Sequence, residues 1–480
     1  MTFAQGEQNN MKRILKVYKR TVSIVNETAI GMYENIVGKK KGFLLESYNK
    51  NYDRYTLFGV EPEEIITSRK HALVIQTAQG EKVLEGNPLK LLKAYYNQFE
   101  IKKDTDGLNF SGGLVGNLGY DFIRYSEELP DNNPDEIGVE TIQMMLMTKF
   151  IVVDYVAETL TAIVLGEDSE TGKQQSLKEA EMLIEKAKMP REQKQELSIF
   201  VHDGKMIKKS DTLEQYAQKV EKIKDYIQEG HIFQTVLSQR WIIETKQEGF
   251  ELYKELRELN PSPYLYYFNF GEVEVIGSSP EMLVKQQGDR VFTCPIAGTR
   301  KRGKNATEDK FLKEDLRKDE KECAEHVMLV DLARNDMGKI SEFGTVKVTQ
   351  FMEIQNYSHV MHIVSMVEGR KKGIYHPLDL ATSFLPAGTL SGAPKIRAME
   401  IIDELEESRR GLYGGATGYI DFSGDMDLCI TIRTMIKKGN KVYLQAGAGI
   451  VADSKPEMEY QECCNKVMAL AKTLVEEEHL

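Results

Sequence analysis

Five short glycine-rich phrases crowd the second half of this 480-residue chain. They are Gly277-Ser278-Ser279-Pro280-Glu281, Pro295-Ile296-Ala297-Gly298-Thr299-Arg300, Gly388 to Lys395, Gly411 to Gly415 and Gly447-Ala448-Gly449. Glycine beside polar residues lets a backbone come close to a ligand, and the same residues also make plain turns. Five such phrases in one region point to a binding cleft built partly from main chain.

Around them the pattern is mixed. Short β-rich runs such as Leu73-Val74-Ile75 and Phe150-Ile151-Val152-Val153 alternate with helical stretches such as Ser176 to Lys188. No 20–50-residue period repeats, which argues against a solenoid or propeller. The polar segment Lys188 to Glu196 lacks apolar periodicity and carries Pro190. It reads as a linker between an N-terminal part, residues 1–190, and a C-terminal part, residues 200–480.

Composition removes several function classes. The 63 Lys and Arg against 74 Asp and Glu leave a formal net charge of −11, unsuited to coating nucleic acid or an anionic membrane. Five cysteines without regular spacing argue against a disulfide scaffold, and Cys463-Cys464 read as helix-face residues. The first residues show no signal-peptide pattern. The most apolar stretch, Gln143 to Gly166, is broken by Lys149, Asp154 and Glu158. A cytoplasmic protein is expected.

Two phrases imitate nucleotide motifs. Gly298 to Asn305 approaches a phosphate-binding loop but ends in Asn305, which has no hydroxyl for a metal. Gly447 to Ala452 approaches a dinucleotide turn, yet the next helix is expected only at Ser454-x-x-Glu457, read as a capping box with Pro456 in the first turn. Glutamates also recur at helical spacing, as Glu322 and Glu325 and as Glu459 and Glu462. Glu459, Glu462 and Lys466 share one helix face, beside an apolar stripe of Cys463, Val467, Leu470 and Leu474. Oxygen-only donors suit a hard cation such as Mg²⁺, and an ordinary solvated face gives the same spacing.

Taken in order, the phrases carry a resemblance. The glycine-rich phrases, together with Glu325 to Asp336, His359-Val-Met-His362, Phe384 to Lys395, Arg410 to Gly415 and Gln445 to Gly449, closely resemble the chorismate-utilising enzymes, nearest the family of anthranilate synthase large subunits. The resemblance implies an α+β fold of antiparallel β-sheets packed as a sandwich with helices outside, and an active-site cleft in the C-terminal part. It implies Mg²⁺-dependent amination of chorismate at C2 by ammonia, loss of the C4 hydroxyl, and elimination of pyruvate.

The resemblance also implies roles. Glu325 and Glu462 resemble metal ligands, helped by Glu322 and Glu459. Lys466 and the Gly447, Ala448 and Gly449 backbone would meet the ring carboxylate. Arg433 and Tyr413 would hold the enolpyruvyl carboxylate, and Gly298 and Thr299 the ring. Glu281 resembles the general acid for the departing hydroxyl, and His362 the histidine of the pyruvate-elimination step. Each also has a plain reading as core or surface residue.

Two positions discriminate within the family. Gln234 stands where water-using relatives carry a lysine base, which favours an amine nucleophile. Ala297 stands where aminodeoxychorismate synthases carry a nucleophilic lysine. Leu44-Leu45-Glu46-Ser47 with Arg54, and Asn260-Pro261-Ser262-Pro263-Tyr264-Leu265, resemble a tryptophan feedback site. No cysteine sits in a glutaminase turn, so a separate glutamine amidotransferase subunit, in a heterotetramer, is implied as the ammonia source. An aminodeoxychorismate synthase without its lysine, and a non-catalytic tryptophan-sensing subunit, remain as alternatives.

Overall fold

Apolar, β-branched runs dictate paired strands here, because each buries one or both faces while its peptides bond to neighbours. In a computed structural model describing residues 12–25, 28–47, 55–102, 110–190, 202–357 and 360–476, these runs form two large sheets. The first runs, in neighbour order, Lys205–Lys209, Gln234–Glu244, Lys441–Ile450, Thr434–Lys438, Val273–Ser279, Tyr264–Asn269, Gly42–Glu46, Tyr55–Val60, Lys149–Asp154, Thr159–Glu167, Arg13–Ser23 and Phe99–Lys102. The second runs Ile296–Lys301, Val360–Arg370, Arg290–Thr293, Met282–Gln287, Met426–Ile430, Ala416–Asp421, Gly113–Leu118, Ile142–Met147, Glu64–Arg69, Ala72–Thr77 and Gly80–Glu85. Among the described strands, only Arg13–Ser23 with Phe99–Lys102 pair in parallel.

The main core lies where the sheets face, with Phe43, Phe150 and Phe268 of the first meeting Ile66, Leu114 and Leu428 of the second. A second core fills the other face of the first sheet. There Tyr33, Ile184, Tyr253 and Val467, each from a different helix, cover Phe58, Trp241 and Leu444. The expected sandwich with outer helices is therefore present. Among the described residues no helix is long and apolar enough to cross a membrane.

Both sheets continue across the expected division near residue 190. Gly42–Glu46 bonds to Tyr264–Asn269, and Gly113–Leu118 bonds to Ala416–Asp421. The two parts thus share hydrogen-bonded sheets. The linker segment is described only as far as Pro190; its remainder, like Arg54 and His359, lies outside the described residues.

Several glycine phrases are strands rather than turns. Gly277 lies in Val273–Ser279, where a Cβ would sit 2.2 Å from Cζ of Tyr266. Gly447 and Gly449 lie in Lys441–Ile450, opposite Ser238 and Val236, so no dinucleotide turn forms. Asn305 caps helix Ala306–Lys318 by accepting from the Thr307 and Glu308 amides, and Thr299 to Lys301 continues a strand beyond an irregularity at Gly298. The expected capping box at Ser454 is also absent. Helix Pro456–Ala471 has Lys455 as N-cap, and the Ser454 hydroxyl accepts from Val451 N instead. Pro456 does occupy the first turn, and Cys463, Val467, Leu470 and Leu474 are all buried.

One buried ion pair ties three segments together. Arg410 donates to Glu406 through Nε (2.8 Å) and Nη2 (2.6 Å), and to the carbonyls of Leu390 (2.6 Å) and Val236 (2.7 Å). Glu406 also accepts from Ser238 N and Oγ. Breaking such a pair strands a charge, so Arg410→Met should cost about 3–5 kcal/mol of stability, read as a lower urea midpoint.

Candidate active site

The segments that Arg410 joins form one wall of an open cleft of about 860 Å³. Gln234, Glu281, Glu325, Tyr413, Arg433, Gly447, Gly449, Glu462 and Lys466 all line it. Residues up to 232 positions apart in the chain thus meet, because adjacent strands and two helices converge there.

The glycines explain the floor. Beyond Leu444 the strand Lys441–Ile450 is paired only with Gln234–Glu244, which leaves alternate peptides turned to the cleft. Gly447 O accepts from Lys466 Nζ at 2.9 Å, which places the Gly447 and Gly449 N–H groups on that side. A Cβ at Gly449 would lie 2.4 Å from Gln234 Nε2, and one at Gly447 would lie 3.0 Å from the Tyr413 hydroxyl. Ala448 alternates away, buried against Leu237 and Tyr216.

Two cations face this floor. Lys466 Nζ also bonds Glu462 Oε1 at 2.6 Å, one turn back along its helix. Arg433 holds a left-handed backbone, φ 51°, and donates to Lys466 O at 3.3 Å. A non-glycine residue keeps that conformation only where its surroundings impose it, and such residues cluster at functional sites. Burial lowers the Arg433 pKa, while Tyr413 and Glu462 raise it.

Glu281 is a carboxylic acid held neutral. Its side chain accepts from Thr389 Oγ1 at 3.2 Å. Burial pushes its pKa up to about 8, with Thr389 and Lys466 pulling the other way. A group that keeps its proton at neutral pH in a cleft suits a general acid.

Four glutamates stand near the mouth. Burial first, then the charges of Glu322 and Glu462, raise the Glu325 pKa. Glu322 and Glu459 are raised likewise, each by burial and with Glu462 contributing. Among the described residues no three His, Cys, Asp or Glu side chains stand close enough together to hold a metal ion. The donor chemistry, all carboxylate oxygen in a field of mutual repulsion, fits a hard divalent cation.

His362, Gly298 and Thr299 form a neighbouring cluster beyond the cleft lining. His362 Nδ1 donates to Gly298 O at 2.8 Å, with Thr299 Oγ1 at 3.1 Å from the same nitrogen. Burial lowers the His362 pKa; the bond to Gly298 O opposes this, and the charge of Arg433 adds to the lowering. The imidazole is therefore neutral near pH 7, with Nε2 carrying the lone pair. Gly298 takes φ 66°, and a Cβ there would sit 3.2 Å from Glu322 Oε2.

Against known proteins, residues 42–472 match the family model described as chorismate binding enzyme. The anthranilate synthase component 1 of Acetivibrio thermocellus is 44% identical, over 94% of this chain and 93% of its own. That of Bacillus subtilis is 42% identical, over 95% and 91%. The crystal structure of anthranilate synthase component I from Streptococcus pneumoniae TIGR4 superposes with a TM-score of 0.79 at 37% identity, covering 94% of this chain and 99% of that one. The chain belongs to the chorismate binding enzymes.

A second cavity, about 780 Å³, lies between the sheets of this family member. Glu46, Ser47, Pro263, Tyr264 and Leu265 line it, with Asp427 and Lys285. Asn260, which ends helix Gly249–Leu259, does not line it: its side chain donates to Ala469 O in helix Pro456–Ala471. Glu46 is held by Arg257 Nε at 2.7 Å and by the Tyr253 hydroxyl at 2.5 Å. The sequence assigned no role to Thr389 or to the Glu406–Arg410 pair. Both lie inside or beside quoted phrases, yet only their contacts give them work.

The Glu281 pKa sets a sign. An acid that must be protonated loses rate as pH rises, so kcat at a fixed free-ammonia concentration should decline through about pH 8. Glu281→Gln should cut kcat by roughly 10²–10⁴-fold and flatten that limb, measured by steady-state kinetics across pH.

Proposed function

We propose that this chain is the large subunit of an anthranilate synthase. It aminates chorismate at ring C2 with ammonia, releases the C4 hydroxyl as water, and eliminates pyruvate to give anthranilate, as the first committed step of tryptophan biosynthesis. The observation that carries this reading is the cleft itself, where neutral Glu281 stands among Arg433, Tyr413, Lys466 and two cleft-facing glycine amides.

The geometry divides the work. Arg433 through its guanidinium fork and Tyr413 through its hydroxyl bind the enolpyruvyl carboxylate. The Gly447 and Gly449 amides and Lys466 meet the ring carboxylate, and the glycines leave room for it. Gly298 and Thr299 border the ring. Glu325 and Glu462, assisted by Glu322 and Glu459, would hold Mg²⁺, which when bound supplies positive charge against the ring carboxylate. Glu281 gives its proton to the departing hydroxyl, a poor leaving group as hydroxide. His362, fixed by Gly298 O, offers Nε2 as the base for pyruvate elimination.

Gln234 cannot take a proton from water as a lysine amine would, which supports ammonia as nucleophile. Ala297 offers no amine for covalent capture, which supports this reading over an aminodeoxychorismate synthase. The ammonia would come from a separate glutamine amidotransferase subunit, bound in a cytoplasmic heterotetramer. The cavity beside Ser47 and Tyr264 has an apolar wall and polar ends, suited to an indole amino acid, and supports feedback inhibition by tryptophan.

Chorismate, Mg²⁺ and ammonia should yield fluorescent anthranilate without an added lyase. Chelating the metal or adding tryptophan should suppress it. An aminated product that keeps its pyruvate, or no turnover, would overturn the assignment. His362→Ala should let the aminated intermediate accumulate in a chromatographic assay; undiminished anthranilate would remove His362 from the chemistry.

A further inference from the structure

An acid that gives up its proton in a buried cleft is left as a carboxylate, and the burial that kept the proton on also opposes its release. Glu281 therefore needs a donor that binds its charged form more tightly than its neutral one. Among the described residues one hydrogen bond reaches its carboxyl, from Thr389 Oγ1 to Oε1 at 3.2 Å. Both ends of this contact are fixed through the backbone. Glu281 O accepts from Ile430 N at 3.0 Å, and Glu281 N donates to Ser279 Oγ at 3.4 Å. Thr389 sits in the short turn Gly388–Leu390, whose last carbonyl accepts from Arg410 Nη1 at 2.6 Å. Both side chains line the cleft.

The other titratable groups around Glu281 do not take this part. Lys466 Nζ is committed to Glu462 and Gly447 O, and acts on Glu281 through its charge alone. Burial holds the Cys294 thiol and the Tyr357 phenol at pKa values of about 12, so both stay neutral, and it raises the Tyr413 phenol likewise. Glu325, Arg433 and Glu462 line the same cleft. Asp336, paired with Lys395 and Lys339, lines a smaller cavity that Glu281 also borders. Among the described residues none of these bonds the Glu281 carboxyl.

We propose that Thr389 is a positioning residue for the general acid: its hydroxyl donates to Oε1, leaves the acidic proton on Oε2, and tightens its bond as Glu281 becomes a carboxylate. The inference rests on the functional reading above. In that step the Glu281 O–H and substrate C4–O bonds break and water forms. The ammonia lone pair makes the C2–N bond as the ring double bonds shift, and the added nitrogen sheds the one proton that restores Glu281. Nothing is oxidised. A hydrogen bond to the charged form makes Glu281 the stronger acid and lowers the pH at which it deprotonates. Its removal should therefore reduce the rate while moving the alkaline limb upward.

The test follows anthranilate formation by the full chain from chorismate and Mg²⁺ across pH at fixed free ammonia. Thr389→Val should lower kcat by roughly 3–10-fold below the limb, leave KM for chorismate little changed, and shift the limb up by about one pH unit. Thr389→Ser, which keeps the hydroxyl, should restore both. In a Glu281→Gln background Thr389→Val should cause no further loss, because the acid it serves is gone. Thr389→Ala should repeat the Thr389→Val result, so poor folding of one variant still leaves a decision. A slower rate with the limb unmoved, a raised KM alone, or an equal loss in the Glu281→Gln background would overturn the role. Failure of the wild-type chain to make anthranilate would instead overturn the functional reading, and this role with it.

Discussion

A guanidinium shut away from water must find its partners inside the protein. Arg410 finds them in Glu406 and in two carbonyls that belong to different segments, the strand Gln234–Glu244 and the turn ending at Leu390. Each contact satisfies a charge whose desolvation would otherwise be costly, so the segments are held at fixed separation. Tyr413 lies three residues further on, its ring 5.6 Å from the Arg410 guanidinium. Leu390 and Val236 themselves line the cleft. The walls of the cleft are thus set by an interaction that is not itself part of its lining.

On that frame the cleft separates charge by burial. The carboxyl deepest in it, Glu281, is kept neutral; those near the mouth, on two helices, repel one another. Arg433 and Lys466 lie between. On the proposed function this arrangement suits a dianionic ring: cations and amide dipoles for its carboxylates, a neutral acid where hydroxide would leave, and a neutral imidazole nearby. Neither a uniformly positive nor a uniformly negative pocket would serve all three.

The strand Met426–Ile430 joins this region to the cavity between the sheets. Asp427 and Cys429 line that cavity, while Cys429 pairs with Met282 and Ile430 N donates to Glu281 O at 3.0 Å. A ligand seated beside Tyr264, whose hydroxyl donates to Asp427 at 3.0 Å, is therefore three residues of strand from the backbone contact with Glu281. The sharing of both sheets across residue 190 makes this possible, since one wall of the cavity comes from Leu45 to Ser47 and the other from the C-terminal part.

How far the sequence reaches follows from what each feature depends on. Strand and helix runs depend on local periodicity, so Phe150 to Val153 and the stripe Cys463, Val467, Leu470 and Leu474 were legible directly. The glycine phrases were legible as places of close approach, but not as strands, because what approaches them is Tyr266 or Gln234 from elsewhere in the chain. The capping box failed for a similar reason: Ser454 had a nearer donor in Val451 N. Charge state was the least legible. Nothing in the letters Ser-Ser-Pro-Glu sets Glu281 apart from an exposed glutamate, since its proton is retained by desolvation that many segments produce together. A residue type can be read from one position; a protonation state belongs to the packed whole, and in this cleft burial sets it for Glu281.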